Sequence, residues 1–246
     1  MNWLQRHWDA RAAANFMLGG AGAGLLVCSF LSQDRLPVVV GLGLVAAGLA
    51  AVWLEIGRKA RAPHVFFNPF TSWMTRESFA ALLLFALGGS FLLFQDRILV
   101  YGVALTSAAF LFCQARILHA AKGIPAWRAP QVVPLVVFTG LAEGSGLALV
   151  FSTDRVLIAI FVVAVLARAL AWSLYRAAVS SSALAKPGRA LLVLGTIAAL
   201  ALLPFFPPLA GLAALAAGLW LKLALVTRAS FNQGYSLPHL PVRGAR

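Results

Sequence analysis

The sequence predicts an all-α integral membrane protein, with eight transmembrane helices arranged as consecutive hairpins. Three observations carry that prediction. Hydrophobic residues make up 61% of the chain and charged residues only 11%, far outside the range of soluble domains. The apolar residues fall in runs near the ~20 residues that a helix needs to cross the hydrocarbon core. The basic residues, which set a net charge of +13, gather between those runs on alternate connections. Helices are required because an open sheet would leave backbone groups unpaired in lipid. The basic excess therefore reads as a topology signal next to the lipid bilayer, and no nucleic-acid partner is expected.

The expected spans cover approximately 12–31, 37–57, 78–94, 98–118, 132–151, 156–176, 190–204 and 208–227, in a single transmembrane domain over 1–246. The first run exceeds the ~7–15 residue core of a cleavable signal and is expected to be retained. The seventh is short and stops at Pro204.

Three connections are very short and share one signature, Asp34-Arg35-Leu36, Asp96-Arg97-Ile98 and Asp154-Arg155-Val156, where Asp suits a turn or helix cap. Their spacings of 62 and 58 residues suggest three related hairpins. The fourth turn, Pro204-Phe205-Phe206-Pro207-Pro208, lacks the signature. The remaining connections are longer and basic. Sixteen Lys/Arg, Lys222 among them, fall on the side of these long loops, three fall on the other side, and Arg168 lies within a span. The positive-inside rule then puts both termini and the long loops in the cytoplasm of a multi-pass protein of a bacterial inner membrane. Trp3, Trp8, Trp53, Trp73, Trp127 and Trp172 map near that boundary, as an interfacial belt would, with Trp220 somewhat deeper.

Gly20 with Gly24, and Gly140 with Gly144, form small-x-x-x-small pairs that let helices approach closely. Cys28 and Cys113 lie in apolar runs without C-x-x-C spacing and read as packing residues, so this chain is expected to hold no iron–sulfur cluster. The histidines His7, His64, His119 and His239 sit in tails, loops or span ends, which does not fit a paired haem site, so no haem is expected. No metal motif or catalytic arrangement is visible, and no metal or organic-substrate active site is expected in this chain.

Ionisable groups inside a membrane are costly and are usually paired or functional. Glu143 falls near the middle of the fifth span and Arg168 in the sixth, at depths differing by roughly 7 Å at the helical rise. They are expected to form a structural pair or part of a proton path. Glu55 and Glu77 flank the longest polar interruption, Arg58 to Glu77. Glu55 either pairs with Arg58 one turn on or exchanges protons at the membrane edge.

Three stretches resemble a known family. Trp8-Asp9-x-Arg11-Ala12-Ala13-x-Asn15-Phe16 followed by Gly19-Gly20, Thr71-Ser72-Trp73-Met74-Thr75-Arg76-Glu77, and Gly123-Ile124-Pro125-Ala126-Trp127-Arg128 look like the membrane-anchor subunits of the dimethyl sulfoxide reductase type, with the wider polysulfide and nitrite reductase anchors. Within that group the Asp-Arg turns and the last block look most like the membrane subunit of phenylacetyl-CoA:acceptor oxidoreductase. The resemblance implies a haem-free subunit that binds a quinone, ubiquinone or menaquinone. It implies electron exchange with an iron–sulfur subunit and, through it, with a molybdopterin catalytic subunit, in anaerobic metabolism. On this reading His64, Trp73, Arg76 and Glu77 shape the quinone pocket, and Arg58, Lys59, Arg61, Lys122, Trp127 and Arg128 form the docking surface. Two rivals stand beside it: a secondary transporter with a midplane site at Glu143 and Arg168, and a purely structural anchor.

Overall fold

The computed structural model describes residues 3–4, 8–32, 34–55 and 59–232. Among them, seven helices are long and apolar enough to cross a membrane: α1 (Ala10–Leu31), α2 (Arg35–Glu55), α3 (Trp73–Phe94), α4 (Arg97–Ala120), α6 (Arg155–Ala178), α7 (Ser182–Leu202) and α8 (Pro207–Thr227). Between α4 and α6 lies α5 (Val132–Ala148), an apolar helix of 17 residues that is shorter than the 132–151 span expected from hydropathy. The chain turns after Ala148, and Leu149 closes the helix with its N–H on the Leu147 and Ser145 carbonyls.

The helix ends follow local chemistry. Pro37 lies in the first turn of α2, where its missing N–H costs nothing. Asp96 and Asp154 cap α4 and α6, accepting at 2.8 Å from the N–H of Ile98 and Val156 respectively. Asp9 caps α1 through the N–H groups of Arg11 and Ala12, and the Arg11 guanidinium holds its carboxyl below the usual carboxylate range. Ser72 caps α3 through the Thr75 N–H, so the helix starts at Trp73, several residues before the expected span. A short 3-10 segment, Lys59–Phe67, fills much of the loop before it.

α5 is the centre of the bundle and packs against α1, α4, α6 and α8. Its close neighbours are set by glycine. A Cβ on Gly144 would lie 1.9 Å from the Gly24 carbonyl carbon, and one on Gly211 would lie 2.0 Å from the Gly146 oxygen. The α1–α5 and α5–α8 backbones thus touch, as the Gly24 and Gly144 spacing anticipates for the first crossing. A two-residue antiparallel ladder pairs β1 (Trp3–Leu4) with β2 (Phe231–Asn232).

Two helices contain π turns, Asn15–Gly19 in α1 and Val193–Ala198 in α7. Such turns concentrate at functional or constrained positions, and a buried side chain donates to a backbone carbonyl in each. Gln114 Nε2 reaches the Asn15 carbonyl at 2.9 Å, and Arg168 Nη2 bonds the Gly195 carbonyl.

The aromatic belt is only partly realised. Trp53 and Trp220 are exposed, but Trp127 and Trp172 are core residues. Trp127 donates from its indole to the Leu225 carbonyl at 3.0 Å, and the Trp172 ring occupies the space beside Gly188. Hydropathy places tryptophans by depth and cannot tell which face of a helix they occupy, which is why these two looked interfacial.

Candidate functional site

A cavity of about 480 Å³ opens at the end of the bundle where α1 and α3 begin and α2 ends. α1 contributes Ala12, Asn15 and Phe16, α2 contributes Leu49, Val52, Trp53 and Glu55, and the 3-10 segment contributes Ala62 and Val65. Met74, Glu77 and Ser78 of α3, Ile117 of α4 and Trp8 complete the lining. Its walls are mostly apolar, with a few polar groups at fixed places, the usual character of a small-molecule site.

Glu77 is the buried carboxylate among those groups and the fifth residue of α3. Asn15 Nδ2 donates to Glu77 Oε1 at 3.1 Å, and the Gln114 amide interacts with the same carboxylate. Asn15 comes from the π turn of α1 and Gln114 from α4, so three helices converge on one carboxyl group. The acid faces an apolar cavity on one side and amide groups on the other.

The other expected pocket residues play different parts. Trp73 does not line the cavity. Its ring lies between two guanidiniums, Arg76 at 4.2 Å and Arg116 at 4.7 Å from its centroid, and meets Phe112 edge-on. Arg76 also donates to the Pro69 and Phe70 carbonyls at 2.9 Å and 2.6 Å, which folds the loop back onto the start of α3. Thr75 Oγ1 donates to the Val65 carbonyl at 2.5 Å, a second tie between that helix and the loop. His64 is exposed, its Nδ1 is 3.2 Å from the Arg61 carbonyl, and its ring packs on Phe67. Arg76 and Thr75 therefore tie α3 to the loop whose Ala62 and Val65 form a wall, His64 contacts residues within that loop, and Trp73 packs against α4. Trp73 and Glu77 stand one turn apart on the same side of α3, but Met74, Glu77 and Ser78 line the cavity while the Trp73 ring packs against Arg116 and Phe112 of α4.

Among the docking residues, Arg61, Lys122 and Arg128 are exposed, whereas Trp127 is fully buried and cannot meet a partner. Arg128 donates twice to the Lys122 carbonyl, which fixes the shape of that connection. Arg58 lies outside the described residues, and with it the Glu55–Arg58 pairing and the side chain of Lys59. Glu55 sits on the cavity rim.

The Glu143–Arg168 pair does not form as expected. Glu143 Oε2 instead accepts from Lys222 Nζ at 2.5 Å, with both side chains buried. Arg168 donates to the Ala214 carbonyl at 2.8 Å and to that of Gly195, and so clamps α7 and α8. Lys222 reads from sequence as one of the cytoplasmic charges because it lies near the end of the last span. A buried acid on α5 signals that some cation has to reach inward, and from sequence that part falls to Arg168 alone.

Asn15 and Gln114 carry the site without having been singled out. Each is a polar side chain inside an apolar run, which in a membrane helix marks an interhelical hydrogen bond or a pocket.

No family model matches the chain. Over 133 residues it is 32% identical to a sulfite dehydrogenase subunit of Allochromatium vinosum, a match that takes in 46% of this chain and 41% of that protein. The matched stretch thus spans about two fifths of the relative's length.

Proposed function

We propose that this chain is the membrane subunit of an oxidoreductase complex and that its cavity binds the head group of a quinone. The similarity to a sulfite dehydrogenase subunit supports the first part of that reading. The observation that carries the quinone reading is Glu77, a buried carboxyl group facing an apolar cavity of about 480 Å³ at one end of the bundle. A quinone needs apolar walls for its ring, an opening for its tail, and a group that gives or takes a proton as electrons arrive or leave. Glu77 supplies the last of these, oriented by Asn15, and Glu55 on the rim is the nearest carboxylate toward solvent.

On this reading α5 crosses the membrane as well, giving eight spans in hairpin order, with both termini and the basic loops cytoplasmic in a bacterial inner membrane. An iron–sulfur subunit docks on the face carrying Arg61, Lys122 and Arg128 and passes electrons between a molybdopterin subunit and the quinone. No haem takes part. The substrate of the catalytic partner is an acyl-CoA such as phenylacetyl-CoA if the sequence resemblance governs, and sulfite if the relative's name does.

The transporter reading loses its main motive. Glu143 is committed to Lys222 and Arg168 to backbone carbonyls, and neither lines the cavity.

The test is a cavity-filling change on the loop wall. Ala62→Trp in the purified complex is expected to lower quinone-linked turnover at least about tenfold, a loss of roughly 1.4 kcal/mol. Reduction of a water-soluble dye by the catalytic partner should remain unchanged. Equal quinone turnover in the variant and the parent would overturn the assignment of the cavity.

A further inference from the structure

We propose that Lys222, remote from the cavity, is a positioning residue for the Glu77 carboxylate and acts through the amide of Gln114. The proposal rests on the reading of the cavity as the quinone site.

A line of buried polar groups crosses the bundle from Glu77 to Glu143. At the cavity end, Asn15 donates to Glu77 and Gln114 interacts with the same carboxylate. Gln114 also donates from Nε2 to the Asn15 carbonyl at 2.9 Å. Its other end, Oε1, is fully buried and accepts no hydrogen bond among the described residues. That oxygen and the Lys222 ammonium both border Gly20. The point where a Cβ on Gly20 would sit is 2.3 Å from Lys222 Nζ and 3.4 Å from Gln114 Oε1.

An amide is a rigid plane with donors at one end and an acceptor at the other. A buried cation near the acceptor attracts it strongly in a low-dielectric interior. The ammonium thus fixes the plane of the Gln114 amide, and with it the N–H that meets the Asn15 carbonyl and holds the residue whose own amide donates to Glu77. Glu143 has the complementary task of keeping Lys222 charged and in place, through the 2.5 Å ion pair. Gly20 is what leaves room for the ammonium, since any side chain there displaces it. The arrangement accounts for an otherwise costly ion pair in the bundle core.

The test is a double-mutant cycle on the intact complex, read as KM and kcat for decylubiquinone and for a naphthoquinone, with dye-linked turnover as the control for assembly. Lys222→Met is expected to raise the quinone KM about fivefold or more while dye-linked turnover stays. Combined with Glu77→Gln it should add less than about twofold to the effect of Glu77→Gln alone. Gly20→Ala, which keeps every charge but pushes the ammonium aside, should reproduce the KM effect and serves where Lys222→Met fails to assemble. A Lys222→Met or Gly20→Ala protein with unchanged KM, or an effect of equal size in the Glu77→Gln background, overturns the proposal. If Glu77→Gln itself leaves quinone kinetics untouched, the quinone reading of the cavity fails, and this proposal with it.

Discussion

Glu77→Gln is expected to lower quinone-linked turnover of the intact complex on the order of a hundredfold, the low end of what a positioned acid–base group contributes. The substitution keeps the shape of the side chain and an oxygen able to accept from Asn15, so the convergence of α1, α3 and α4 survives. It removes only the capacity to exchange a proton with a bound quinone. Dye-linked turnover and the yield of assembled complex should match the parent. A variant that loses both together would instead make Glu77 a structural residue of the three-helix junction. Steady-state assays with quinone and with dye, on the same preparation, separate the two.

Gly144→Ala is expected to be the most damaging small change in the bundle. The added carbon would lie 1.9 Å from the Gly24 carbonyl carbon and 2.1 Å from the Leu25 nitrogen, both backbone atoms that no rotamer change can move. Helices α1 and α5 must separate, which also strains the α5–α8 crossing at Gly146 and Gly211. The cost should reach at least about 3 kcal/mol, the upper end of overpacking effects. Gly43→Ala and Gly89→Ala are the matched controls, because nothing lies within 4 Å of a Cβ at either position. Thermal unfolding in detergent, followed by size-exclusion chromatography, should show Gly144→Ala lost and both controls near the parent.

The spans were largely legible because membrane helices announce themselves by length and composition. Their boundaries were less so. Helix α3 starts earlier than hydropathy puts it, since hydropathy treats Ser72-Trp73-Met74-Thr75-Arg76-Glu77 as loop while the Ser72 cap starts the helix there. The glycine spacing did point to the α1–α5 crossing, a purely local signal.

Partner choice was not legible. Glu143 was visible as a buried acid, but whether Arg168 or Lys222 meets it depends on helix rotation, which periodicity does not reveal in helices apolar on every side. The π turns at Asn15–Gly19 and Val193–Ala198 were invisible for a related reason, as their sequences are ordinary membrane-helix sequences. The Thr71–Glu77 block contains Glu77, which lines the cavity. It does not separate Glu77, which faces the cavity, from Trp73, which packs against α4, or from Arg76, which braces the loop.

The central claim is that a quinone occupies the cavity beside Glu77. Photolabelling the intact complex with an azido-quinone, then mapping the modified peptides by mass spectrometry, tests it most directly. The predicted result is label on segments that line the cavity, around Ala12–Phe16, Ala62–Val65 and Met74–Ser78, suppressed by excess unlabelled quinone. Quinone-protected label confined to other parts of the bundle would contradict it.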